Sequence, residues 1–426
     1  MTEIAKRVND YALRLALLLP ITTLFQSYEL LSWINQAVVV FFVVMLFASY
    51  LVTKYPIGYW LLIAAAVIST AVSWHETGGA LRSINDITYL PLWIMLLLFS
   101  SATLKSKDDL IIRNLNWIKW VVFAWSAIVL VSAFLPSSYY SSWGEGVYFA
   151  SFTSGTFRLA PTAFLILSLL MACVVHEKNN RMLYFLLSLI PLYCAFMGGS
   201  RIYLFVILLC YIFFLKYFSK NPTEFKILIT IGALLSLALI GVSAIGEKIA
   251  STAYTNESYY DFWGTLTNSR SVFWTADIMA YSKLDVFHKF FGMGFNYVYE
   301  VNAIAVNSAI WAHNDFINIL LANGLFGLVL YLVPILILIK EFSTGLLPNK
   351  KLLVGIFVII WAGNAFFNME YTYICAALAT CLIPLLVTYS ESRRDREKTI
   401  DPTARNQTNH IAVSHVSNAR KCFSAR

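Results

Sequence analysis

Apolar residues run in blocks of about twenty along this chain, separated by short polar breaks, with no sustained two-residue alternation. A block of that length lets a helix cross roughly 30 Å of hydrocarbon, and the missing alternation argues against a membrane barrel. The pattern predicts an all-α polytopic membrane protein with twelve transmembrane helices. They are expected near residues 11–28, 32–52, 57–74, 85–104, 117–135, 160–175, 182–198, 201–217, 227–246, 323–340, 352–367 and 370–389. Nine helices therefore occupy 1–246, a large loop 247–312, and re-entrant or transmembrane helices 313–390. The polar tail over 391–426 has too few large apolar residues to fold and is expected to be disordered in the cytoplasm.

Composition agrees with the pattern. Of 426 residues, 59% are hydrophobic and 13% charged, against about 25% charged in soluble domains. The formal charge of +8 invites a nucleic-acid reading, but its distribution gives another. Lys6, Arg7, Lys54, Lys105, Lys107, Arg113, Lys178, Arg181, Lys216, Lys220, Lys226, Lys340, Lys350 and Lys351 all fall in one alternate set of loops, and Arg393, Arg394, Arg396 and Lys398 extend it into the tail. Basic loops stay in the cytoplasm, so both termini are expected there, in a bacterial inner (plasma) membrane, with no nucleic-acid partner. Five of six cysteines fall within expected spans and the sixth, Cys422, in the tail, without a C-x-x-C pair; neither a disulfide framework nor a metal site is indicated. The first apolar run leads into further spans and has no clear cleavage site, so no signal peptide is expected.

The outward loops are unequal: a medium one at 136–158 and the long one at 247–312. The long loop is too aromatic for a disordered linker. A surface helix is expected from Asn268 to Tyr281, followed by a flexible Gly292-Met293-Gly294 turn. Tyr259, Trp263, Trp274, Phe295, Tyr299 and Trp311 fit membrane anchoring, and the same rings could stack on sugars.

Candidate chemistry lies at the outer boundary. His313, Asn314 and Asp315 head an apolar helix expected to break at Gly324 and Gly327. Four outward arginines stand near helix ends: Arg82, Arg158, Arg201 and Arg270. A guanidinium fork binds phosphate oxygens in pairs, and low-dielectric surroundings weaken screening. Snorkelling or ion pairing is the alternative for each. Pairing with Glu76 or Asp86 is the simpler account of Arg82, and both accounts stand for Arg158. Glycine- and serine-rich settings favour function for Arg201 and Arg270. His313 titrates near neutrality in water and suits a general base toward a hydroxyl or a phosphate donor. No His, Cys and Asp set has metal-ligand spacing, so no metal and no cofactor are expected.

These residues resemble a known family. His313-Asn314 followed by Gly324-Leu325-Phe326-Gly327 is similar to the signature of the O-antigen polymerase and ligase (Wzy/WaaL) superfamily. Ser269-Arg270 with Phe291-Gly292-Met293-Gly294-Phe295 resembles its long periplasmic loop, and Gly199-Ser200-Arg201 its membrane-edge element. The resemblance implies a GT-C-like, metal-independent, inverting glycosyltransferase acting on undecaprenyl-pyrophosphate-linked glycans at the periplasmic face. By similarity Arg201 and Arg270 hold the pyrophosphate and His313 activates the acceptor, with Arg158, Ser269, Asn314 and Asp315 near the substrate. Glu145, Asp277 and Asp315 are reserve bases. Within the family, residues 151–161 look closer to a polymerase of repeat units than to a ligase onto lipid A-core. A chain-length regulator protein is a candidate partner. A twelve-helix transporter is the competing class, disfavoured because the inner loop near 175–182 is short and the outward charge clusters at one face.

Overall fold

The computed structural model describes residues 2–76, 85–141, 147–153, 155–247, 270–346 and 351–388. Met1–Leu386 forms one compact unit, and of a second, Val387–Arg426, only residues 387 and 388 are described. Arg82, Glu145, Asn268, Ser269 and the tail over 391–426 lie outside the described residues.

Helix follows helix in the compact unit, as the apolar blocks require. α1 (Glu3–Leu24), α2 (Glu29–Thr53), α3 (Ile57–Glu76) and α4 (Asn85–Ser106) lead, through the single turn α5 (Leu110–Arg113), into α6 (Leu115–Ser132). Then come α7 (Thr156–His176), α8 (Arg181–Met197), α9 (Arg201–Phe218) and α10 (Pro222–Val242). Three short helices follow: α11 (Arg270–Lys283), α12 (Val286–Phe291) and α13 (Phe295–Val306). α14 (Asp315–Gly345), α15 (Leu352–Phe367) and α16 (Ile374–Thr388) complete the described chain. Eight of these helices are long and apolar enough to cross a membrane, and α8, α15 and α16 are shorter apolar helices. α7 is the central post, with nearly all its residues buried against α1, α6, α8 and α9. α10 is the opposite case, packed only lightly on α9 and open along its apolar length.

Several local expectations change. The first helix begins at Glu3 rather than near residue 11, because Thr2 caps it by accepting from the Ala5 amide at 3.2 Å. The medium loop carries a two-stranded antiparallel hairpin, β1 (Tyr139–Ser141) with β2 (Val147–Phe149), in which Tyr140 pairs with Tyr148. The Tyr140 hydroxyl accepts from the Thr156 amide at 3.1 Å, which satisfies one orphan donor at the start of α7.

Among its described residues the long loop holds three helices where one was expected, and Gly292-Met293-Gly294 is pinned rather than flexible. Met293 and Gly294 donate their amides to Leu321 O (3.0 Å) and Ala322 O (2.9 Å). α14 breaks at Gly324 alone (φ 68°, ψ −169°), and Gly327 remains helical. Gly292 (φ 79°) and Gly324 meet backbone to backbone. A Cβ on Gly324 would lie 2.3 Å from Phe290 O, and one on Gly292 2.3 Å from Ala322 O. This close approach ties the loop helices to the kink in α14, and Asn323 Nδ2 reinforces it by donating to Ser73 Oγ at 3.1 Å. Gly324→Ala should destabilise the solubilised protein by roughly 2–6 kcal/mol. The glycine-only backbone conformation contributes about 1–3 kcal/mol of that and the backbone clash about as much again. Thermal denaturation of the purified variant reads this directly; a midpoint unchanged from native would show that the two backbones can separate at no cost.

Candidate active site

Helix starts and one turn deliver the polar groups to the same end of the bundle. Arg158 is the third residue of α7, Arg201 the first of α9 and Arg270 the first described residue of α11. His313 immediately precedes the α14 cap, and Glu370, Tyr371 and Tyr373 form the turn between α15 and α16. Arg158, Arg201, Arg270, His313 and Tyr373 are each half-buried, so each keeps an accessible edge.

Electrostatics shows which of them share space. Arg270 is pushed down to about 10 by burial and then by the Arg201 charge, with Tyr373 acting against both. His313 is pushed down to about 3 by burial and by the Arg270 charge. Burial raises the Tyr373 phenol, while Arg270 and Arg158 pull it back. Arg158 also acts on Tyr89 of α4 and lies over the Phe157 ring, 5.6 Å from its centroid. Arg270 is thus the shared neighbour of Arg201, Tyr373 and His313, and Tyr373 links it to Arg158. Among the described residues Arg270 has no ion pair, and the nearby Arg201 charge acts against its own.

A fully buried polar layer lies beneath this cationic one. Asp315 accepts from the Tyr331 hydroxyl (2.8 Å) and the Tyr371 amide (3.3 Å). Asn318 Nδ2 donates to the Tyr371 hydroxyl at 2.9 Å. Glu370 accepts from the Thr380 hydroxyl, and burial pushes its carboxyl up to about 8. Asp315 and Glu370 are both 0% exposed. Asn314 and Asp315, expected near the substrate, are both buried here, and Asn314 Nδ2 and Asp315 Oδ1 have no hydrogen-bond partner among the described residues. Asn314, 1% exposed, is the α14 N-cap and accepts from Ile317 N at 3.1 Å, and Asp315 belongs to the floor. Asp277, a reserve base, is likewise 0% exposed within the loop helices; burial pushes it up to about 7, with the Asn302 amide acting against the rise.

His313 itself has φ 50°, a left-handed backbone uncommon for a non-glycine residue. Its Nδ1 is buried without a hydrogen-bond partner. Its ring lies near the edge of Phe273, with centroids 6.3 Å apart. Residues 183–332 match the family model described as O-antigen ligase. Over that part of its length the chain is similar to the O-antigen ligase family. No curated protein matches it. The matched stretch runs from α8 into α14 and contains Arg201, Arg270 and His313, whereas Arg158, Glu370 and Tyr373 come from outside it. Tyr89, Glu370 and Tyr373 are the site residues that sequence reasoning missed. An acid and two tyrosines at the outer edge of an apolar block were the available signal.

Proposed function

We propose that this protein transfers glycans from a polyprenyl diphosphate donor at the periplasmic face of a bacterial inner membrane. The preferred reaction polymerises lipid-linked repeat units. What supports this reading is the coupling of Arg270 to Arg201, Tyr373 and His313, with Arg158 acting on the same tyrosine. Diphosphate departure concentrates negative charge on oxygens, and preorganised cations in a poorly screened site stabilise that charge more in the transition state than before it. His313 is neutral at pH 7 and takes the acceptor hydroxyl proton. The hydroxyl oxygen attacks the anomeric carbon, the carbon–oxygen bond to diphosphate breaks, and the diphosphate leaves with the electron pair. Direct attack inverts the anomeric centre. The arginines supply the counter-charge, so the reaction is metal-independent.

Arg158 favours polymerisation over ligation, because it lies in the 151–161 segment that resembles polymerases and its charge reaches Tyr373 beside Arg270. The family description, O-antigen ligase, supports the second reading, transfer of finished polymer onto lipid A-core. Purified protein supplied with undecaprenyl-diphosphate-linked repeat units, in EDTA and without lipid A-core, should yield a ladder of polymer. No product until a core acceptor is added would make the protein a ligase, and strict dependence on a divalent metal would overturn the leaving-group chemistry.

A further inference from the structure

The reaction above needs the diphosphate anchor and the imidazole in fixed register, yet Arg270 and His313 come from segments separated by two intervening helices. Three hydrogen bonds hold the stretch that presents His313. Trp274 Nε1 donates to Ala312 O at 2.6 Å, Asn302 Nδ2 donates to Ile310 O at 3.1 Å, and Asn318 Oδ1 accepts from Ala312 N at 3.4 Å. A non-glycine residue stays in a left-handed conformation only when its surroundings over-determine it, and these bonds supply that constraint.

Only one of the three starts on the helix of Arg270. Trp274 follows Arg270 by one helical turn, which places both on the same face of α11. Its indole is nearly buried, held edge-on by Phe366 with centroids 5.2 Å apart. A buried indole N–H needs an acceptor, and the acceptor it finds is the carbonyl of the residue before His313.

We propose that Trp274 is a positioning residue that sets the distance between the diphosphate-binding arginine and the catalytic imidazole. The inference rests on the glycosyltransferase reading. It concerns catalysis rather than donor affinity, since the bond ends on the His313 side of the site. Displacement of a reacting group by about 1 Å can cost a hundredfold in rate.

The test is Trp274→Phe, which keeps an aromatic ring against Phe366 but removes the N–H, with Phe366→Leu as the control that loosens the packing and keeps the bond. Steady-state kinetics on lipid-linked repeat units, at a temperature where both variants are folded, should show kcat lowered ~10–100-fold for Trp274→Phe. Its KM for donor and its binding of undecaprenyl diphosphate should stay within about twofold of native, and Phe366→Leu should keep native kcat while its melting temperature falls. Native kcat in Trp274→Phe, with His313→Ala inactive, would overturn the positioning role and leave the proposed reaction standing. An equal loss of kcat in both variants would reduce Trp274 to a packing residue. Native rates in His313→Ala would remove the catalytic reading on which the role depends.

Discussion

Arg270→Ala should lower glycosyl transfer by ~10²–10³-fold, about 2.7–4 kcal/mol of transition-state stabilisation, while leaving the melting temperature at or above the native value. The two halves of this expectation have one cause. Arg270 loses solvation on burial and meets the charge of Arg201, and both effects push it down to about 10. Removing the guanidinium relieves that repulsion, so the empty protein loses no favourable ion pair among the described residues. With a diphosphate bound the same repulsion becomes attraction toward the ligand, and the variant forfeits it. Sites that store unfavourable charge for function are where stability and activity trade off. Arg270→Lys keeps a charge but not the planar fork and should recover little activity. Turnover measured beside thermal denaturation separates the cases. A large fall in melting temperature would make Arg270 a structural residue, and full activity of the lysine variant would show that charge alone suffices.

The fold was readable where one physical requirement dominates. Apolar blocks long enough to cross a membrane became helices, because an unpaired backbone has no alternative in lipid. Arg201 and His313 could be picked out because a charge or an imidazole at the rim of an apolar block has no packing reason to be there. Tertiary arrangement stayed hidden. Asn314 and Asp315 read as exposed from their polarity, yet both are buried, Asn314 Oδ1 as a helix cap and Asp315 Oδ2 bonded to Tyr331 and Tyr371, partners 16 and 56 residues away. Glu370 and Tyr373 read as the first turn of a span and are instead the turn before α16. Gly292-Met293-Gly294 reads as a loose turn by composition, and only the facing Gly324 shows why both glycines are required. Local patterns specify elements, and contacts between distant segments decide which polar group reaches the substrate.

His313→Ala should reduce kcat ~10²–10⁴-fold, the usual contribution of a positioned proton acceptor, with folding and membrane insertion intact. The pH dependence is the sharper test. Burial and Arg270 push His313 down to about 3 in the empty site. The free enzyme therefore keeps the imidazole unprotonated well below pH 6.5, and kcat/KM should show no acid limb from this group between pH 5 and 8. A bound diphosphate offsets the Arg270 charge, so the imidazole in the loaded site titrates higher and kcat should fall on the acid side before kcat/KM does. Arg270→Ala removes one depressing charge and should move the kcat/KM limb upward, tying the two residues together in a single measurement. Folding follows the same sign. A histidine whose folded-state value is depressed contributes stability that is present above its unfolded value near 6.5 and is lost as pH falls toward 3. His313→Gln should remove that share of acid sensitivity. Acid limbs of kcat and kcat/KM that coincide near pH 6.5, and do not move in Arg270→Ala, would mean that the imidazole feels neither the arginine nor the diphosphate, and another group would have to accept the proton.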